Sequence, residues 1–443
     1  MPVRFFAGAS SEDEDEKDDR KNHIESGDGH VHHLTYLMLP LIFADQQAFI
    51  HLYNSAVSVS LGASRLLASG QLKGRKVGIV SNPASVDANY VHVVDALMNA
   101  PGVTVGALFG PQHGFRSDVQ DNMIETPHGN DCRRKVPVFS LYSETREPTA
   151  EMLRHVDTMV IDLQDIGARI YTYIYTMANC LRACAKHKIN IIVCDRPNPI
   201  GGLDVEGPML VPGNESFVGQ FPIPMRHGMT IGELAKFFNE YFEIHAPLEI
   251  IRMEGWNRSM YFDQTGLPFV MPSPNIPTLD SAIVYPGTVL FEGTNASEAR
   301  GTTRPFELVG APWVEAERFA DAMNARKLPG VYFRPAVFEP TFQKHAKKTC
   351  GGCQIHVLDR KTFKPVLTGV ALIDAMKAAG PKDFAWRKPP YEYEHEKEPI
   401  DILAGSPALR MAIDSGKKAE DLVPLWERES KPFAEVRAEY LAY

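Results

Sequence analysis

The sequence predicts an α/β fold, in which a Rossmann-like, doubly wound parallel sheet is followed by a second, smaller α+β domain. In the first half of the chain, short runs rich in β-branched residues recur. Each run leads into a Gly-, Pro- or Asn-rich turn, and a stretch with helical spacing of apolar residues then follows. The runs lack polar alternation, which is typical of parallel strands covered by helices on both faces.

Five of these runs are predicted as strands, and three further stretches as helices. The strands are Lys76–Ser81, Val103–Phe109, Val136–Tyr142, Thr158–Leu163 and Ile189–Cys194, and the helices are Val86–Asn99, Thr172–His187 and Thr230–Phe242. Strands that alternate with helices indicate an open, doubly wound sheet. No GxGxxG motif follows the first strand, so we predict no dinucleotide and no other cofactor.

A chain of 443 residues favours two domains. We expect a first domain at residues 55–245 and a second at 246–443, with strands of the second at Leu248–Met253, Ala282–Phe291 and Gln354–Leu358. Residues 1–54 are predicted to be disordered or a non-native extension, because residues 1–33 are polar and charged. The segment Pro389–Pro399 is predicted to be a charged surface loop without a role in function.

Composition excludes several classes of partner. The net charge of −9 argues against nucleic acid, which requires a basic surface. The apolar run Leu34–Phe43 is too short to span a membrane, and its acidic, His-rich flank is unlike a signal peptide, which favours a cytoplasmic protein. Cys350 and Cys353 have the spacing of half a zinc site, but no second pair completes it, so we predict no metal.

Polar residues gather where the predicted strands end. In an open parallel sheet, ligands bind beyond the carboxyl ends of the strands, so residues distant in sequence converge there. Some of these side chains could instead cap helices or fix turns. The candidates are Gln112, His113, Tyr142, Asp162, Gln164, Asp165, Arg169, Asp195, Arg196 and Asn198.

The second domain contributes two dense polar stretches. Pro272–Pro277 contains Asn275, and Glu292–Arg304 carries two carboxylates, two arginines, an amide and three threonines. Arginine forks bind carboxylates, while amides and hydroxyls match sugar hydroxyls, so these stretches suit an anionic or hydroxyl-rich ligand. The alternative is a buried network that holds the domains together. The candidates here are Asn275, Glu292, Asn295, Glu298, Arg300 and Arg304.

Seven motifs, in matching order, carry a family resemblance. They are GPQHGFRSDVQ, DLQDIGARIYTYIYT, DRPNPIGG, VEGPML, SFVGQFPIPMRHGMTIGEL, PSPNIPT and EGTNASEARGTTRPFELVGAPW. Together they resemble the NamZ-type exo-β-N-acetylmuramidases, which form glycoside hydrolase family 171 and were formerly a domain of unknown function. The resemblance runs from about Gly62 to about Trp386.

The resemblance implies a Rossmann-like N-terminal domain, a smaller C-terminal domain and an active cleft between them. The implied reaction removes terminal β-1,4-linked N-acetylmuramic acid from peptidoglycan-derived fragments, and it places the protein in the cell envelope, the periplasm or outside the cell. The lactyl carboxylate of that sugar would be bound by Arg169, Arg300 or Arg304. Tyr171 and His227 are added to the residues expected to line the site. The sequence assigns no oligomeric state.

One position departs from the family motif, which commonly reads Gly-Pro-Glu-His-Gly. This chain has Gln112 there, and an amide cannot exchange a proton as glycoside hydrolysis requires. Our candidates for acid and base are Glu292 and Glu298, and His113 could shuttle a proton. Other carboxylates that could replace the missing glutamate are Glu125, Asp162 and Asp165.

Two other classes of protein compete with the glycosidase. Gln112 favours a sugar- or muropeptide-binding homologue with impaired catalysis, and His113, Asp162 and His227 could serve a metal-dependent hydrolase, although no HExxH spacing supports it. The inverting, retaining and substrate-assisted routes all stay open, because carboxylate separation is a three-dimensional quantity.

Overall fold

The computed structural model describes residues 59–121 and 123–443, so the predicted N-terminal extension at 1–54 lies outside the described residues. The described strands, in chain order, are β1 (Lys76–Ser81), β2 (Thr104–Gly110), β3 (Gly129–Asp131), β4 (Val136–Ser140), β5 (Thr158–Asp162), β6 (Asn190–Cys194), β7 (Glu206–Met209), β8 (Pro224–Arg226), β9 (Leu248–Ile251), β10 (Leu308–Ala311), β11 (Val331–Phe338) and β12 (Cys350–Val357).

The α-helices within the same ranges are α1 (Gly62–Ser69), α2 (Val93–Met98), α3 (Ala150–Leu153), α4 (Tyr173–His187), α5 (Ile231–Tyr241), α6 (Leu279–Thr288), α7 (Ala316–Ala325), α8 (Pro365–Ala379), α9 (Pro399–Ala404), α10 (Ala408–Asp414) and α11 (Ala419–Arg437). Short 3₁₀ helices occupy Phe262–Gln264, Val289–Gly293 and Ala438–Tyr440. No helix in this part of the chain is both long and apolar enough to cross a membrane.

The large sheet has seven strands in the order β3-β4-β2-β1-β5-β6-β9. All neighbouring pairs are parallel except β3 and β4, which pair antiparallel at one edge. One face packs against α1 and α2 through residues such as Leu66, Ile79 and Leu97, and a larger core covers the other face. Strands β1, β5 and β6 are almost wholly buried, as their unbroken apolar runs predict.

The second half of the chain adds a smaller antiparallel sheet in the order β10-β12-β11. Helices α6 and α8 pack closely, because Gly287 and Gly369 face each other where a side chain would not fit: a Cβ on Gly369 would lie 2.3 Å from Gly287. The predicted α/β fold class, with a doubly wound sheet and a smaller α+β domain, is therefore confirmed.

One predicted strand is wrong, and a second lies in a different sheet from the one predicted. The run Ala282–Phe291 is mostly helix α6 and the 3₁₀ turn after it, because it is buried on every side and so carries no periodicity that separates helix from strand. Leu248–Met253 does form a strand, β9, but it pairs with β6 in the large sheet and not in the second domain. The large sheet therefore includes residues beyond the boundary predicted at residue 245. The predicted strand at 354–358 is part of β12.

Candidate functional site

A buried pocket lies near the carboxyl end of β2 and the start of α4, and it is closed by α6 and by loops from the second half of the chain. Its free volume is about 40 Å³. Acidic, basic, amide and tyrosine side chains share its wall with a few apolar ones. The lining residues are Gln112, His113, Ile170, Tyr171, Thr172, Tyr173, Val218, Ser273, Asn275, Ile276, Tyr285, Glu292, Arg300, Phe306, Tyr391 and Glu392.

Glu292 and Arg300 form the charged centre of this pocket. Arg300 Nη2 donates to Glu292 Oε1 at 2.6 Å, and the Tyr391 hydroxyl donates to Glu292 Oε2 at 2.6 Å. Although burial alone favours the protonated acid, the Arg300 charge holds the pKa of Glu292 below its usual value. Glu292 is therefore an ionised carboxylate over the whole neutral range.

Glu298 and Lys344 extend the charged centre behind the pocket wall. Lys344 Nζ lies 2.5 Å from Glu298 Oε2, and Arg300 Nε lies 3.5 Å from Glu298 Oε1. The two carboxylates are thus balanced by two cations, which offsets the cost of burying them. The Nη1 atom of Arg300 has no hydrogen-bond partner among the described residues, although it is buried.

Gln112 links three neighbours across the opposite wall. Its Oε1 accepts from the Thr172 hydroxyl at 2.7 Å, and its Nε2 contacts the Tyr142 hydroxyl at 3.3 Å and Glu392 Oε1 at 3.5 Å. The Tyr142 hydroxyl donates to Glu392 Oε2 at 3.1 Å. The amide at position 112 therefore lies in direct contact with a buried carboxyl group.

Glu392 is only 4% exposed. Burial, together with the negative charge of Glu292, raises its pKa to about 7, and the donors Tyr142 and Gln112 only partly oppose that rise. The two pocket carboxyl groups thus differ in character, since Glu292 stays charged while Glu392 exchanges its proton near neutrality. Groups whose pKa values are pushed apart in this way are typical of acid–base catalysis.

His113 faces the pocket from a left-handed turn with φ of 71°. Its Nδ1 lies 2.8 Å from the Val119 carbonyl, so this nitrogen carries the proton and donates. Burial lowers its pKa to about 4, which leaves the ring neutral at pH 7. His113 is therefore better suited to accepting a hydrogen bond through Nε2 than to the proton shuttling that its ordinary pKa suggests.

Most of the predicted strand-end residues do not line this pocket, because their side chains bind the protein itself. Arg196 forms a two-pronged ion pair with Asp162, at 2.6 and 2.8 Å. Asp195 accepts hydrogen bonds from Thr230 and Gly232 at the start of α5, each at 2.8 Å. A carboxylate at a helix N-terminus stabilises the helix, so Asp195 fixes α5 against the sheet.

Arg169 is fully buried and donates to three backbone carbonyls, those of Pro208, Ile223 and Leu403. Asp165 accepts a hydrogen bond from the Gly167 amide, and its burial raises its pKa to about 7. Its other neighbour is His227, whose Nε2 lies 3.8 Å from Asp165 Oδ2. Burial lowers the pKa of His227 to about 3. Gln164 and Asn198 bond backbone groups of Pro197 and Met229, respectively.

The remaining candidates lie at or near the surface. Glu125 pairs with Arg146 and leaves 49% of its side chain exposed, while Arg304 pairs with Glu307 and leaves 46% exposed. Asn295 ties its loop to residues 383 and 385. The residues considered for a metal site, His113, Asp162 and His227, do not form one, since no three His, Cys, Asp or Glu side chains among the described residues lie close enough together to hold a metal ion. Cys350 and Cys353 are free thiols in β12.

The structure thus brings together six of the predicted site residues: Gln112, His113, Tyr171, Asn275, Glu292 and Arg300. Sequence reasoning missed Thr172, Tyr173, Ser273, Tyr285, Tyr391 and Glu392. The last two lie in the segment Pro389–Pro399, which was predicted to be a surface loop without a role, and this prediction is wrong for them. Tyr391 is 1% exposed. No local pattern marks Glu392 as buried, because one flanking tyrosine, Tyr391, is buried while the other, Tyr393, is 45% exposed.

Comparison with known proteins supports the resemblance seen in the sequence. Family models described as exo-β-N-acetylmuramidase NamZ match here, the N-terminal one at residues 77–280 and the C-terminal one at 283–443. A relative from Bacillus subtilis strain 168, described as peptidoglycan β-N-acetylmuramidase NamZ, is 46% identical over 373 residues, which is 84% of this chain and 88% of that protein.

Two crystal structures of DUF1343 family proteins from Bacteroides fragilis NCTC 9343 share the fold. The first has a TM-score of 0.79 and 35% sequence identity, and the second has a TM-score of 0.67 and 28% identity. Each match covers 87% of this chain and 99% of the Bacteroides protein. The matches place the chain in the class of glycosidases. Within that class, it belongs to the exo-β-N-acetylmuramidase NamZ family.

Proposed function

We propose that this protein is an exo-acting glycosidase that removes terminal β-1,4-linked N-acetylmuramic acid from peptidoglycan-derived fragments. The name of the Bacillus subtilis relative supports the substrate class. The pocket supports the chemistry, because it holds two carboxyl groups of different character beside neutral donors and acceptors suited to a sugar. The protein thereby acts in the turnover of cell-wall material.

The observation that carries this proposal is the unpartnered Nη1 of Arg300, buried in the pocket wall. N-acetylmuramic acid differs from N-acetylglucosamine by a lactyl carboxylate, and a guanidinium binds such a group well. Of the three arginines predicted for this role, Arg169 is occupied by backbone carbonyls and Arg304 pairs with Glu307 at the surface. Arg300 remains as the one that lines the pocket.

The first experiment is hydrolysis of para-nitrophenyl β-N-acetylmuramide beside the matching β-N-acetylglucosaminide. We expect nitrophenol release from the muramide and little from the glucosaminide. Equal release from both would contradict the muramidase proposal. Binding of N-acetylmuramic acid without hydrolysis of either substrate would favour a binding homologue with impaired catalysis, for which the amide at Gln112 is the supporting observation.

Arg300→Lys tests the carboxylate contact. The substitution retains the charge beside Glu292 but loses the planar fork, so we expect KM for the muramide to rise about tenfold or more. Arg304→Lys is the matched control, since Arg304 pairs with Glu307 at the surface, and its KM should equal that of the unaltered protein. An unchanged KM in both variants would exclude Arg300 as the carboxylate-binding residue.

A further inference from the structure

The pocket contains few groups that can exchange a proton near neutral pH. His113 is neutral there, burial raises the pKa of the lining tyrosines, to about 12 for Tyr173, and Arg300 stays charged. Gln112 carries no exchangeable proton of this kind. Among the described lining residues, two carboxyl groups are left, Glu292 and Glu392, and a glycosidase needs one of them as an acid.

The two carboxyl groups differ in the residues that surround them. Glu292 is held between a cation and a hydroxyl donor, Arg300 and Tyr391, each at 2.6 Å. Glu392 faces the neutral donors Tyr142 and Gln112, and it also experiences the charges of Glu292 and Arg300. Glu392 Oε1 has a contact of 3.5 Å with Gln112, so this oxygen is less tightly bound than Oε2, which accepts from Tyr142 at 3.1 Å.

The backbone around Glu392 is held in an unfavourable conformation. Glu392 and Tyr393 both adopt left-handed φ angles, 46° and 68°, which cost free energy in residues other than glycine. Contacts on both sides fix this turn: the Tyr391 hydroxyl bonds Glu292, and the Glu392 amide donates to Met123 Sδ at 3.2 Å. The turn directs two successive side chains towards the pocket.

We propose that Glu392 is the general acid of this site. This inference rests on the proposed function. Glu392 donates its proton to the glycosidic oxygen as the bond from C1 to that oxygen breaks, and the bonding electron pair leaves with the oxygen as a sugar hydroxyl. Water then bonds to C1, and its proton passes to the Glu392 carboxylate, which restores the acid. Glu292 remains charged throughout and stabilises the positive charge that develops at C1.

The test compares Glu392→Gln with the unaltered full-length protein on two muramides that differ in their leaving group. The natural disaccharide, N-acetylmuramic acid β-1,4-linked to N-acetylglucosamine, needs protonation of its leaving oxygen, while the para-nitrophenyl muramide does not. We expect kcat/KM to fall by about 10³-fold on the disaccharide and by less than about tenfold on the nitrophenyl substrate. Glutamine retains the shape of the side chain and can still accept from Tyr142.

A pH profile provides the second readout. In the unaltered protein, kcat/KM on the disaccharide should fall as pH rises through about 7, because the acid loses its proton. The residual activity of Glu392→Gln on the nitrophenyl substrate should not show that decline. Glu396→Gln is the matched control, since Glu396 is exposed in the same loop and its profile should not change.

The outcomes separate the two proposals. If the unaltered protein cleaves neither muramide, the proposed function fails and the role of Glu392 fails with it. If it cleaves both and Glu392→Gln loses equal activity on the two substrates, or loses none, the protein is still a muramidase but Glu392 is not its acid. Only an unequal loss with an altered pH profile supports the proposal.

Discussion

Two groups of buried charged residues in this molecule differ in how many of their polar atoms have hydrogen-bond partners within the protein. In the strand-end network of Asp162, Asp195 and Arg196, the carboxylate oxygens all accept hydrogen bonds within the protein. In the pocket cluster of Glu292, Arg300 and Glu392, Arg300 Nη1 is unpartnered and Glu392 Oε1 has only a long contact. The first group stabilises the fold, and the second retains capacity to bind a ligand.

Polar residues at strand ends therefore do not by themselves mark a site. Both groups look alike in the sequence, since each combines carboxylates with arginine near a turn. What distinguishes them is the satisfaction of their hydrogen bonds, because a saturated buried network leaves no donor or acceptor for a substrate.

Glu292→Gln should produce the largest change. Removal of the permanent charge beside Arg300 is expected to lower kcat/KM on the nitrophenyl muramide by about 10²–10⁴-fold. Glu298→Gln is the matched control, because Glu298 contacts the same arginine from behind the wall, and its loss should stay below about tenfold. Equal losses in the two variants would show that the charge matters for packing and not for catalysis.

Asp162→Asn should act on stability instead. It leaves the Arg196 guanidinium buried without its carboxylate, which is expected to lower the free energy of unfolding by about 3–5 kcal/mol. Chemical denaturation measures that loss. The kcat/KM of the molecules that remain folded should match the unaltered protein, and a specific loss of activity at full stability would move Asp162 into the site.

Gln112→Glu should shift the pH profile. It places a second carboxyl group about where Gln112 Nε2 now lies 3.5 Å from Glu392 Oε1, and two carboxyl groups so close share a proton. The alkaline limb of kcat/KM should therefore move to higher pH by about one unit. An unmoved limb would mean that Glu392 does not control it.

Glu125→Gln should change least. The Glu125 side chain is half exposed and pairs with Arg146 at 3.1 Å, and such surface pairs contribute about 0–1 kcal/mol. Thermal unfolding and turnover should both match the unaltered protein. A large loss of activity would restore Glu125 to the catalytic candidates and weaken the contrast between saturated and open groups.

The large sheet was predictable because its strands are short β-branched runs between turn residues, and Lys76–Ser81 matches its strand at both ends. Helix α6 was not predictable, because its buried sequence contains both Pro286 and Gly287 and lacks an amphipathic pattern. Its available signal was Thr278, whose side chain accepts from the Ser281 amide and caps the helix.

The site was partly predictable for a related reason. Glu292 and Arg300 lie in one dense polar stretch, which the sequence displays directly. Glu392 lies in a segment whose other charged residues are partly or fully exposed, and no local pattern separates the one buried glutamate from these neighbours. Its burial depends on Tyr142, which is 250 positions away in the chain, and contacts at that separation are set by the completed fold.

The small volume of the pocket has a kinetic consequence. About 40 Å³ has room for roughly three water molecules, which is less than a sugar ring occupies. We therefore expect a more open member of the conformational ensemble to capture the sugar, with an apparent affinity reduced by the fraction of molecules in that open state. Substitutions that widen the entrance without contacting the sugar should therefore tighten binding, and the observed rate of association should level off at high sugar concentration, where opening becomes limiting.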